Sequence, residues 1–122
     1  MKTNSFGILV IILISFGASS NETNNTIDRE AVKSVIKNNL NLFKNCYEVE
    51  YRKNHSLEGK VVIGWSIDQN GLVTKTWVKD TKMNNQNVEN CLTEKVKTLN
   101  FPKAPRGTVA EVQYPFVFQK SK

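Results

Sequence analysis

A single histidine, His55, stands among 122 residues, and that scarcity already removes most hydrolytic chemistries. A Ser–His or Cys–His pair would have to use it. It lies in "RKNHSLEG", beside Arg52 and Lys53, where a solvated loop residue is the simpler reading. Ser56 follows it without the G-x-S-x-G elbow of a serine nucleophile. The two cysteines form no C-x-x-C pair and, with one histidine, make too small a ligand set for zinc. Six glycines form no phosphate-binding loop, and Asp68, Asp80 and Glu89 are isolated carboxylates. The inventory therefore predicts no catalytic residues, no metal, no cofactor and no small-molecule substrate.

Proline is also scarce: the chain has three, all within residues 101–120, so no Pro-rich spacer divides it and one domain is expected. Long apolar runs are nearly absent. The one present reaches from Phe6 to Phe16, broken only by Gly7 and Ser15, with Lys2 before it and small residues after it. It is shorter than the roughly 20 residues of a comfortable membrane span. Ala18 and Ser20 suit the −3 and −1 positions of a signal peptidase site, so residues 1–20 read as a signal peptide cut after Ser20, or alternatively after Ser19. An uncleaved inner-membrane signal anchor is the competing reading. Residues 21–26, "NETNNT", are polar and aperiodic, a disordered mature N-terminus, and residues 27–119 form the domain.

Export decides what the net charge of +6 can mean. Nucleic acid becomes a poor partner in a periplasmic or secreted protein, whereas anionic wall or membrane material remains available. The lysines are spread singly along the chain, as on an ordinary solvated surface. In an oxidising compartment Cys46 and Cys91 would pair by default; two buried thiols are the alternative if the chain is not exported.

Apolar residues recur at Val32, Val35, Ile36, Leu40, Phe43, Cys46 and Tyr47, the spacing of one helix with a buried stripe, capped by Thr26. "KVVIGWSIDQNGLVTKTWVKD" predicts a β-hairpin turning at Asp68-Gln69-Asn70-Gly71. Val61, Ile63, Trp65 and Ile67 share one face of its first strand. Val73 and Val78 have opposite parity in the second, which implies a bulge or two partly covered faces and leaves Trp77 open between core and surface. Asn84 or Asn87 caps a second helix with Val88, Cys91, Leu92, Val96 and Leu99 inward. The final strand, 108–118, puts Ala110, Val112, Tyr114, Phe116 and Phe118 on its core face and Glu111, Gln113 and Val117 on the other. Pro115 cannot donate a ladder hydrogen bond, so this strand belongs at an edge. The expected fold is α+β, α-β-β-α-β, with two helices packed on one face of a three-stranded antiparallel sheet of strand order 2-1-3.

The segments "VIKNNLNLFKNCYEVE", "LEGKVVIGWSIDQNGLVTKTWVKDTKM", "NVENCLTEKVKTLNFPKAP" and "YPFVF" resemble the AgmX/PglI C-terminal domain family, a branch of the TonB C-terminal-like domains. The resemblance spans roughly residues 29–118. It implies the same element order, a counterpart for paired Cys46 and Cys91, and a bacterial cell-envelope system such as motility, transport or surface assembly. TonB-like domains add their sheet edge to a peptide of an outer-membrane receptor, so the resemblance implies a periplasmic or outer-membrane protein segment as partner. Glu111, Gln113, Pro115 and Val117 are the corresponding partner-binding edge here. Leu99 stands where relatives often have Trp, and "KAPRG" replaces a double-Gly turn. A structural envelope protein holding anionic wall or membrane material through its basic surface is the alternative reading, and an edge-to-edge homodimer is a third arrangement.

Overall fold

The computed structural model describes residues 26–120; the expected signal peptide, 1–20, and all of the expected disordered N-terminus, 21–26, except Thr26 lie outside them. In chain order the elements are α1 (Arg29–Asn38), α2 (Leu40–Tyr51), β1 (Gly59–Ile67), β2 (Val73–Thr81), α3 (Gln86–Lys97) and β3 (Ala110–Phe118). The strands order as β2-β1-β3, and both neighbouring pairs are antiparallel. The α3 crossover carries the chain past β1 to its far side, which yields the expected α+β sheet.

The first helical stretch departs from expectation, because it is two helices and its cap is Asp28, whose Oδ1 accepts from Ala31 N at 3.1 Å. The break falls at Asn39 (φ −123, ψ 22), where Nδ2 donates to the Val35 carbonyl at 2.7 Å. A short amide side chain competing for an i−4 carbonyl offers the backbone a way out of the helix. Both stripes still reach the core: Val32 and Ile36 from α1, and Phe43, Cys46 and Tyr47 from α2.

The hairpin turn forms where its residues predict. Asp68 Oδ1 accepts from Asn70 N and Leu72 N, and Gly71 takes the positive φ of 83° that glycine tolerates. Four steps on β1 from Ile67 to Ile63 match five on β2, since Ile67 faces Val73 and Ile63 faces Val78. The extra residue, Thr74, puts both valines on the face of Ile63 and Ile67, where Val73 packs against the core and Val78 stays exposed, and a second shift leaves Lys79 unpaired. The α3 cap is Asn85, whose Oδ1 accepts from Val88 N at 2.9 Å. Asn84 instead has a φ of 54°, and Asn87 donates to Glu50.

Val61, Ile63, Trp65 and Ile67 of β1 are fully buried and share one core with Ile36 of α1, Phe43 of α2 and Val88, Leu92 and Val96 of α3. Trp65 packs on Phe101 at 5.3 Å between ring centroids, and its Nε1 has no hydrogen-bond partner among the described residues. The loop after α3 is tied to the hairpin turn by three hydrogen bonds. Phe101 N donates to the Gly71 carbonyl, Ala104 N to that of Asp68, and Gly107 N to Gln69 Oε1. Cys46 and Cys91 form a disulfide with Cα atoms 5.7 Å apart, joining α2 to α3.

Candidate interaction surfaces on the sheet

β3 is an edge strand nine residues long, and its ladder to β1 runs without a shift from Gly59↔Phe118 to Ile67↔Ala110. Its hydrogen-bonding phase follows from β1. The Lys60 carbonyl accepts from Lys82 N, so the even-numbered residues of β1 bond toward β2 and the odd ones toward β3. Val61, Ile63, Trp65 and Ile67 therefore bond Phe116, Tyr114, Val112 and Ala110, while Val62↔Pro115 is a pair without hydrogen bonds. The nitrogen of Pro115 faces outward, where no internal bond is lost. Glu111, Gln113, Pro115 and Val117 thus direct their backbone polar groups to the open rim, and all four are exposed, Val117 at 60%. The rim presents the N–H groups of Glu111, Gln113 and Val117 and the carbonyls of all four.

The opposite edge, β2, carries two irregularities and the exposed residues Lys75, Lys79 and Asp80, features that blunt strand pairing. β3 runs without a shift and carries only Glu111 and its single proline as such features.

Beside the β3 rim lies a groove of about 740 Å³ under α2, with Phe43, Tyr47, Tyr51, Tyr114 and Phe118 among its walls and Lys44, Glu48 and Arg52 along its polar margin. Its aromatic wall is continuous. Phe43 packs on Phe116 at 4.7 Å and Tyr47 stacks on Phe118 at 4.9 Å, which holds α2 over β3. The Tyr47 hydroxyl donates to the Leu57 carbonyl at 2.6 Å, fixing the loop after α2. Burial, with Tyr51 and Glu58 nearby, pushes the Tyr47 phenol above its ordinary value of 10.0, so it stays a neutral donor. At the end of α2, Glu50 accepts from Lys53 Nζ at 3.1 Å and from Asn87 Nδ2 at 3.3 Å. Those bonds, the Lys53 one foremost, hold its carboxyl below the ordinary value.

The second face of the sheet carries Lys60, Val62, Gly64 and Ser66 of β1, Lys75, Trp77 and Asp80 of β2, and the rim residues of β3. Trp77 is placed opposite Gly64, half-buried, which resolves its open assignment as surface. A Cβ on Gly64 would meet the indole at 2.5 Å, so glycine there lets the ring lie against the strand. The groove and this platform are the two features that sequence periodicity missed. Only the repeated aromatic parity of the last strand hinted at the first.

His55 is exposed and stacks on Tyr51 at 5.0 Å. Asp68 serves the hairpin turn, and Ser56 N donates to Asn54 Oδ1 within the loop. Among the described residues no three His, Cys, Asp or Glu side chains gather as a metal site, and no helix is long and apolar enough to cross a membrane.

No protein-family model matches the chain, and no curated protein matches it. Among solved structures, the solution NMR structure of Pseudomonas aeruginosa TonB CTD is similar, with a TM-score of 0.45 and 16% identity over 58% of this chain and 76% of that one.

Proposed function

We propose that this chain is a non-catalytic, exported interaction domain of the AgmX/PglI type, which captures an extended segment of a periplasmic or outer-membrane protein along β3. The observation that carries the proposal is the phase of the β3 ladder, which leaves three N–H groups and four carbonyls on an open, regular rim. An added strand completes the sheet through main-chain bonds, and its alternate side chains enter the aromatic groove under α2. Pro115 favours a foreign segment over a second copy. A two-fold pairing of β3 with itself meets the missing donor twice, and a foreign strand meets it once. The disulfide and the apolar run Phe6–Phe16 support an oxidising, exported setting.

The test uses peptides selected from a displayed random library on the purified domain. Gln113→Pro with Val117→Pro removes two rim donors and no internal ladder bond. Each such bond is worth about 0.5–1.5 kcal/mol net, so affinity should fall about tenfold or more while the fold persists. N-methylation of alternate peptide amides should have a comparable effect. Undiminished binding by the double variant would refute edge pairing.

A further inference from the structure

We infer that the second face of the sheet is a binding site for an acidic glycan, a strand of sugar rings bearing carboxylates. A cleft of about 560 Å³ crosses this face, with Arg29, Lys75, Trp77, Lys79, Glu111 and Gln113 among its walls. The site shares Glu111 and Gln113 with the β3 rim, but it uses their side chains on the sheet face, whereas edge pairing uses their backbone groups.

Its floor is Trp77, which Gly64 allows to lie close against β1. A half-buried indole backed by a strand is held in place and does not protrude. It offers a flat π surface to the C–H groups of a sugar ring, and it is poorly disposed to enter a lipid bilayer. Lys75 Nζ sits 5.3 Å from the ring centroid and marks the attraction of that surface for positive charge. Lys75 is exposed, so its side chain can swing aside when a ring takes its place.

The walls supply the charge. The ion pairs among the described residues use Lys33, Lys44, Lys53 and Lys97, so Arg29, Lys75 and Lys79, like most of the described cations, have no carboxylate partner; what sets these three apart is that they line one cleft. Three unpaired cations around an aromatic floor call for an anion. Glu111 decides which kind. Its carboxylate, also outside the ion pairs, repels a bare anion of any type but accepts from hydroxyl groups, so the anion has to carry hydroxyl donors, and Gln113 can both donate and accept. Hydroxyls, carboxylates and ring C–H faces occur together in an acidic glycan and not in a phospholipid surface or a nucleic acid.

The test titrates the full domain with hexagalacturonate and follows tryptophan emission. Trp65 is fully buried, so the response reports Trp77. Saturable binding is expected, tighter than for neutral maltohexaose. Trp77→Ala should weaken it about tenfold, equivalent to about 1.4 kcal/mol, and Trp77→Phe should retain most of it. Lys75→Gln with Lys79→Gln should reduce the affinity to that for maltohexaose, and all variants should bind rim-directed peptides normally. The inference is overturned if polyglutamate or a single-stranded oligonucleotide binds as tightly as hexagalacturonate. It is also overturned if phosphatidylglycerol vesicles compete it away, or if Trp77→Phe and the double lysine variant bind like the parent.

Discussion

Reducing the Cys46–Cys91 disulfide should cost this domain a large part of its stability while leaving its fold recognisable. The bond joins residues 45 apart in sequence, and the loop it closes holds the end of α2, the whole β1–β2 hairpin and the first half of α3. For a loop of that length the chain-entropy relation yields about 4 kcal/mol at 25 °C, all of it acting on the unfolded chain. A domain of this size has about 5–15 kcal/mol in total, so the loss is a quarter or more of the whole. At about 4–8 °C per kcal/mol, Tm should fall by about 16–32 °C. In urea, with m of about 1–3 kcal/mol/M, the midpoint should drop by between about 1.3 and 4 M. The clean comparison is oxidised against reduced protein of the same sequence. No side chain is truncated, and Cys46 remains packed as a small apolar group. Far-ultraviolet circular dichroism checks that the reduced form folds. If the two forms unfold within about 1 kcal/mol of each other, the constraint on the unfolded chain is not what this bond supplies, and the loop-entropy reasoning fails.

Gly64→Ala should destabilise the domain by about 1–3 kcal/mol, because the new methyl group lands on the Trp77 indole. Adding Trp77→Ala should recover much of that loss, a non-additivity that urea titration of the single and double variants measures. Glu50 has a carboxyl held below its ordinary value near 4.5 by Lys53 and Asn87, so its contribution is present above that pH and is lost as pH falls through the lowered value. Glu50→Gln should therefore flatten the acid limb of the stability curve below about pH 4.5, read from melts across a pH series. An unchanged acid limb would show that the bonds from Lys53 and Asn87 do not favour the charged form.

Local periodicity was enough to establish most of the fold. The parity of β1 and β3, the Asp68–Gly71 turn and the placement of Cys46 and Cys91 on inward stripes were all legible, because each depends on neighbours within one element. Pro115 was legible for the same reason: one missing donor tells an edge strand from a central one without any knowledge of the partner strand. Where residues compete for one local role, the sequence left the outcome open. Sequence pattern places the first cap at Thr26 and the second at Asn84 or Asn87, whereas the caps are Asp28 and Asn85, because neighbouring short polar residues suit the role equally and backbone geometry selects among them.

The candidate surfaces divide along the same line. The four rim residues of β3 follow from a period of two and a proline. The groove beside them exists only because α2 comes to rest over β3 through the Phe43–Phe116 and Tyr47–Phe118 contacts. Trp77 could not be assigned from its own strand, since the residue that fixes its environment is Gly64 on the neighbouring one, and an extra residue at Thr74 resets the parity between them. The sequence by itself determined which residues each helix and strand turns inward. Tertiary structure alone decided what lies across from the outward ones, because register between strands and the seating of helices are set by contacts far apart in the chain.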